Sequence, residues 1–222
     1  KPMLRLSSLM EIPQIAVFSH DSIGVGEDGP THEPIEQLAM LRSQPNMHVF
    51  RPADETETKA AWYCAVTSTR TPTSLVLSRQ SLPVLENSSK DALKGGYIIR
   101  KEKKEKADVV IMATGSETGI AVEAANMLEK DGISARVVSM PCLELFEEQP
   151  EEYRNAVLPP KMTKRVVVEA GSSMSWGRYA GIDGCYITMD TFGASAPAAQ
   201  LFEKYGFTAE NVREKVKTYV NS

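Results

Sequence analysis

The chain has 222 residues, 42% apolar and 24% charged, with a net charge of -4; it is long enough for one large domain or two of about 100 residues each. Its acidic balance argues against nucleic acid or an anionic membrane surface as partner, and no apolar run approaches the roughly 18–20 residues of a membrane span. Three Cys, at 64, 142 and 185, are odd in number and form no C-x-x-C, so they read as free thiols of a reducing compartment.

Residues 1–13 put Met3, Leu6, Leu9 and Met10 on one helical face and end at Pro13. A chain that opens at Lys1 inside a helix reads as a piece of a longer protein. Residues 14–18 are apolar and β-prone, and residues 34–42 place Leu38 and Leu41 at helical spacing with Pro34 in the first turn. Between them lies His20-Asp-Ser-Ile-Gly-Val-Gly-Glu-Asp-Gly-Pro-Thr-His-Glu-Pro34, a loop at the carboxyl end of a strand, which is where open parallel sheets bind ligands. A short strand over 47–51 follows. Asp54 with Glu57 three residues on then starts a helix to about Ser68 with Ala61, Cys64 and Ala65 inward. Residues 74–78 form the next strand, with Arg79 at its carboxyl end. This alternation is βαβ logic, so the strands should be parallel and His20 and Arg79 should share one sheet edge. Strand order, and so whether the two are neighbours, is left open.

Residues 83–107 shift in composition, with Pro83, Ser88, Ser89, Gly95, Gly96 and the alternating Lys/Glu run of 100–106, which reads as a solvated hairpin or linker. A second series begins with a strand at 109–112. Thr114-Gly-Ser-Glu117 has the form of a capping box, Ile120, Ala121, Ala124 and Leu128 make a helix face, and Gly132 ends it. The start of Thr114–Glu117 also has the look of an anion pocket, which the capping box explains without a ligand. Val137-Val138 and residues 166–168 continue the sheet around a helix near 151–157. Residues 195–206 read as a capped helix stopped by Gly206, and Thr208 caps a last helix carrying Val212, Val216 and Tyr219.

Four readings of the His-rich loop compete. Gly24-Val-Gly-Glu-Asp-Gly29 fits G-x-G-x-x-G, but Glu27 and Asp28 would face a pyrophosphate dianion. His20, Asp28 and His32 could hold zinc or iron, although their spacing fits no compact ligand motif. A plain surface loop is the blandest reading. A polyhydroxylated, anionic metabolite is the fourth: His donates to hydroxyls and moves protons near neutral pH, Asp accepts from hydroxyls, and Arg79 grips phosphate with a planar fork.

The loop resembles the long signature loop of transketolases, and the resemblance continues in order. Phe50-Arg-Pro-Ala-Asp54, Ser78-Arg-Gln-Ser-Leu-Pro83, Lys94-Gly-Gly-Tyr97, Ala113-Thr-Gly-Ser-Glu117, Arg136-Val-Val-Ser-Met140, Val167-Val-Glu-Ala-Gly171 and Thr191-Phe-Gly-Ala-Ser-Ala-Pro197 are all similar to family segments. The resemblance implies an α/β fold of two three-layer α/β/α domains with mainly parallel sheets, the first incomplete. Residues 1–85 would be the rear part of a pyrimidine-binding domain, 86–106 a linker, and 107–222 the family's C-terminal domain.

It also implies transfer of a two-carbon ketol unit between sugar phosphates, with thiamine diphosphate and a divalent cation (Mg or Ca), in a site between two subunits of a homodimer. By the same resemblance His20, Asp28 and His32 match positions that contact sugar hydroxyls and phosphate, with His32 nearest the reacting carbons, and Arg79 matches the phosphate-gripping Arg. His48 matches no role and reads as a strand-edge surface residue.

The departures are that no Gly-Asp-Gly followed by Asn occurs, and that the Glu and aromatic cluster around the aminopyrimidine would lie upstream of Lys1. The chain is therefore expected to carry part of a substrate site with no cofactor or metal ligand of its own, and to be inactive without the N-terminal part of the same protein. A cytoplasmic location is expected, with a plastid left open. The alternative is a non-catalytic dimerisation or regulatory module of the same fold.

Overall fold

Two βα series build two mainly parallel sheets in the computed structural model, which describes residues 2–222. The first sheet holds β1 (Ile15–Ser19), β2 (His48–Phe50) and β3 (Thr73–Leu77), in the order β1-β3-β2 and all parallel. The central strand β3 is buried from Thr73 to Val76, as a strand covered on both faces must be. Alternate residues face opposite ways. Val49 and Val76 pack with Leu4 of α1 (Pro2–Leu9) and with Leu38 and Leu41 of α2 (Gln37–Arg42), while Phe50 and Leu75 pack with Ala61 of α3 (Glu55–Thr67). The α3 cap is as its sequence suggests, Asp54 accepting from the Glu57 N–H at 2.9 Å.

Three expectations change in this unit. The helical face of Met3, Leu6, Leu9 and Met10 is exposed, and Leu4, Ser7 and Ser8 are buried instead. Periodicity reveals an apolar stripe but not what covers it, and the sheet lies on the other side. Edge strand β1 likewise leaves Val17 and Phe18 open. Pro34 precedes α2 rather than lying in its first turn, because the Gln37 side chain takes the Ile35 N–H at 2.8 Å and extends the loop. His48 is not a free edge residue: its Nε2 lies 2.9 Å from Glu148 Oε1.

The second sheet contains β4 (Tyr97–Arg100), β5 (Val109–Ala113), β6 (Ala135–Ser139), β7 (Arg165–Val168) and β8 (Cys185–Ile187), ordered β4-β6-β5-β7-β8. All pairs are parallel except β4 with β6. One face packs Ile111, Val137 and Val166 against α4 (Glu117–Lys130), α8 (Ala198–Lys204) and α9 (Ala209–Asn221). The other packs Val110, Met112, Val138 and Val167 against α5 (Leu143–Glu147), α6 (Glu151–Val157) and α7 (Gly177–Ala180). This is the three-layer arrangement expected. Among the described residues no helix is long and apolar enough to cross a membrane.

The segment 86–106, expected as a linker, carries a 3-10 turn at Lys90–Lys94 and the whole of β4. Its charged run is pinned rather than merely solvated: Arg100 pairs with Glu129, and Glu102 with Arg136. Ser195 does not cap α8, whose first turn follows Pro197 without a side-chain cap, because the Ser195 hydroxyl donates to the Glu27 carbonyl at 2.6 Å. Thr208 does cap α9, accepting from Asn211 N–H at 3.2 Å.

Candidate functional site

Strands β1 and β3 are hydrogen-bonded neighbours with Ser19 opposite Leu77. The chain that leaves their carboxyl ends therefore puts His20 and Arg79 side by side on one edge, the point the sequence left open. Both are exposed. His20 has a left-handed backbone, φ 68°, and its Nδ1 lies 2.9 Å from Ser19 Oγ. Arg79 enters none of the ion pairs among the described residues.

After His20 the loop turns inward. Asp21 is 3% exposed, and Ser22 caps a 3-10 turn at Ile23–Val25. Gly24 closes on the segment after β3: a Cβ there would stand 2.5 Å from Gln80 Oε1. Gly29, at φ 77°, closes on the second unit, where a Cβ would meet Ser195 Cβ at 3.1 Å. The Ser195–Glu27 bond staples the same bend. Asp28 and His32 emerge on its exposed side, with the His32 N–H bonded to the Gly29 carbonyl at 3.0 Å and His32 Nδ1 2.9 Å from Thr31 Oγ1. Glu33 folds back and is buried against Gly193, where a Cβ would overlap Glu33 Oε2. Burial pushes the Glu33 carboxyl above its usual range against the pull of the Ala194 N–H.

The geometry thus brings His20 and Arg79 to adjacent strand ends and puts Asp28 and His32 on one turn of the same loop. No hydrogen bond joins the four to one another among the described residues. No group of three His, Cys, Asp or Glu that could hold a metal occurs among the described residues. The Gly-x-Gly-x-x-Gly run does not open a helix, since α2 starts only at Gln37, so it lacks the helix N-terminus a pyrophosphate would use.

What sequence reasoning missed lies directly beneath the loop. Arg51, fully buried, holds Asp21 Oδ2 from Nε at 2.9 Å and Nη2 at 2.8 Å. Its Nη1 donates to the Thr114 carbonyl at 3.1 Å, to Thr114 Oγ1 at 3.0 Å and to Glu117. Thr114 Oγ1 donates onward to Glu169 at 2.6 Å, and Glu169 takes both Arg42 terminal nitrogens at 2.8 Å and Trp176 Nε1 at 2.9 Å.

Thr114 and Glu117 therefore form neither a capping box nor an anion pocket. The guanidinium of Arg51 fills the place, 2.7 Å from where a Gly115 Cβ would be. Although burial alone would raise it, the Glu169 carboxyl is held at about 2 by Arg42, Arg51 and the Thr114 hydroxyl. Burial pushes Glu117 up against the pull of Arg51. The one visible signal is an acidic residue, Glu169, directly after the three valines of β7.

A second anchor crosses the same seam. Glu57 accepts from Ala53 N–H at 2.7 Å, Tyr97 OH at 2.9 Å and Ser139 Oγ at 2.5 Å. Burial nevertheless outweighs these donors and pushes its carboxyl to about 7. A cleft of about 720 Å3, lined by Met40, Arg42, Glu144, Met174 and Tyr179 among others, contains none of the four candidate residues.

Residues 1–84 match the family described as the transketolase pyrimidine binding domain, and residues 95–208 match the transketolase-like C-terminal domain. The chain is 50% identical over 225 residues to a transketolase of Bacillus subtilis (strain 168), covering 100% of this chain and 34% of that protein. It is 51% identical over 220 residues to a transketolase of Aquifex aeolicus (strain VF5), covering 97% of this chain and 32% of that one. A Pichia stipitis transketolase solved with sedoheptulose-7-phosphate superposes with a TM-score of 0.93 at 46% identity, over 99% of this chain and 32% of its own. A split-gene transketolase described as an inactive β4 tetramer gives a TM-score of 0.72 at 28% identity, over 93% of this chain and 66% of its own. The chain spans about a third of the length of the curated relatives it matches.

Proposed function

Since this chain belongs to the transketolase family, we propose that in the intact protein it forms one wall of a site that passes a two-carbon ketol unit between ketose and aldose sugar phosphates. The observation that carries the reading is the exit of His20 and Arg79 from adjacent parallel strands at one edge. There Arg79, with no ion pair of its own, is left to grip a phosphate through its planar fork. His20 and Asp28 meet hydroxyls along the sugar chain, the imidazole donating and the carboxylate accepting. His32 stands nearest the reacting carbons, where it donates to a carbonyl oxygen or moves a proton.

Thiamine diphosphate would supply the carbanion chemistry of this transfer when bound. The residues of this chain do not fit its diphosphate and metal end, because no Gly-Asp-Gly occurs in the sequence and the described residues bring no three metal-ligating side chains together. The cofactor and a divalent cation, Mg or Ca, are accordingly assigned to the rest of the intact protein. The chain alone is assigned no ketol transfer. Its exposed Leu6, Leu9, Val17, Phe18, Tyr63 and Val66 support further chain, or a second copy in a homodimer, packing over the first unit. A second reading, a non-catalytic assembly module, is favoured by the likeness to a split-gene protein described as inactive.

In the intact enzyme, Arg79→Ala is expected to raise KM for phosphorylated substrates by roughly 10- to 150-fold, the equivalent of a lost charge-assisted bond of about 1.5–3 kcal/mol. Substrates without phosphate should change far less. Equal effects on both classes would take Arg79 out of the phosphate site.

A further inference from the structure

His20 stands in a left-handed conformation, φ 68°, which a residue with a side chain holds only where its surroundings fix it. The exposed Ser19–His20 bond is too weakly sheltered to do so. On one side the bend is fixed by the β1–β3 ladder through Ser19. On the other it is fixed by Asp21, gripped by Arg51. Arg51 has no freedom of its own: its N–H bonds Pro141 O at 2.8 Å, its carbonyl accepts from Gly115 N–H at 3.0 Å, and its guanidinium is spent on Thr114 and Glu117. Glu117 in turn accepts the Ala170 N–H at 2.9 Å.

We infer that Thr114 and Glu117 of the second unit are positioning residues that aim His20 through Arg51 and Asp21. The second unit thereby sets the orientation of His20, to which none of its side chains is hydrogen-bonded among the described residues. Every link from Asp21 to Glu117 is buried, so water cannot take over a broken contact and the displacement passes along the chain. Thr114 and Glu117 are both fully buried, so neither can touch a sugar phosphate. This rests on His20 being a substrate contact, as proposed above.

The test uses the intact enzyme. Thr114→Val removes the hydroxyl that Arg51 donates to, and Glu117→Gln removes the charge. Each is expected to raise KM for a phosphorylated sugar by roughly three- to tenfold, the range of coupling through a shared network, with kcat retained. Thr114→Ser, which keeps the hydroxyl, should restore the wild-type KM. In a His20→Ala background the same substitutions should add no further increase.

Should Glu117→Gln fail to fold, Thr114→Val carries the test, since it changes no charge. Folded Thr114→Val enzyme with unchanged KM overturns the inference, as does a full multiplicative loss on top of His20→Ala or a fall in kcat that Thr114→Ser does not restore. A His20→Ala enzyme with unchanged KM overturns the substrate reading of His20 itself, which separates that failure from this one.

Discussion

Replacing Arg51 by Met keeps most of the buried volume and removes the guanidinium that touches both Asp21 and Glu117. Deleting one partner of a buried ion pair costs about 3–5 kcal/mol, because the remaining charge stays desolvated. For a chain of this length that is a fall of roughly 6–20 °C in Tm. The loss must also depend on pH. Burial already pushes Glu117 above its ordinary 4.5, and Arg51 is the first group that pulls it back; without Arg51 the folded-state value climbs further. A carboxyl raised in the folded state contributes stability that is present below its unfolded value and lost as pH rises through its folded value. The deficit of Arg51→Met is therefore smallest near pH 4.5 and grows toward pH 8. Glu169 loses one cation as well, but it keeps the two Arg42 hydrogen bonds that do most to hold it low, so it stays ionised in that window and adds little slope. Arg51→Lys, which keeps the charge but gives up the fork, should lose stability without this trend. Urea unfolding followed by circular dichroism at pH 5, 6, 7 and 8 measures both. A deficit under about 1 kcal/mol, or one equal at pH 5 and pH 8, would refute the argument.

Glu57 gives a wild-type counterpart: with its carboxyl raised from 4.5 to about 7, stability should fall by up to about 3 kcal/mol as pH rises from 5 to 8, and Glu57→Gln should flatten that slope in the same urea series. Gly95→Ala places a Cβ 2.4 Å from Cys142 O and Phe146 N at φ 80°, main-chain atoms that cannot swing aside, so a loss of about 3 kcal/mol or more is expected in thermal melts. Gly132→Ala, at φ 81° with nothing within 4 Å, should lose only the left-handed backbone cost of about 1–2 kcal/mol; equal losses would show that crowding at Gly95 is relieved elsewhere. Calorimetry with the 222-residue chain should show no saturable binding of thiamine diphosphate, and a saturable isotherm would relocate part of the cofactor site into it.

All strands but β4 and β8, the Asp54 and Thr208 caps and the loop at the end of β1 could be read in the sequence because each shows in a local pattern; β4 lies within the expected linker and β8 is a short strand of mixed polarity. Strand order could not: β3 comes last of its three strands yet sits between the other two, and that order alone makes His20 and Arg79 neighbours. Thr114 and Glu117 have the spacing of a capping box, but Arg51, far upstream in the chain, takes their oxygens. A local pattern records which hydrogen bonds are available, not which distant donor arrives. The Ser195 hydroxyl follows the same rule, going to the distant Glu27 carbonyl and not to the start of its own helix. Glu169 after three valines was the clue that could have been used, since a carboxylate beside a buried strand demands a cation.

The placing of β3 also bears on how the wall comes into being. During synthesis β1 and β2 emerge before β3, which is the hydrogen-bonded partner of each among the described residues. Their pairing with β3 waits until residues 73–77 have left the ribosome, and it is made by long-range contacts that are slow to find. The bend at His20 waits longer still, because the oxygens that steady Arg51 come from residues 114 and 117. His20, made before most of these residues, is thus among the last of them to reach its final orientation. Nascent chains that stop short of β5 and α4 would display the right imidazole on an unsteady bend.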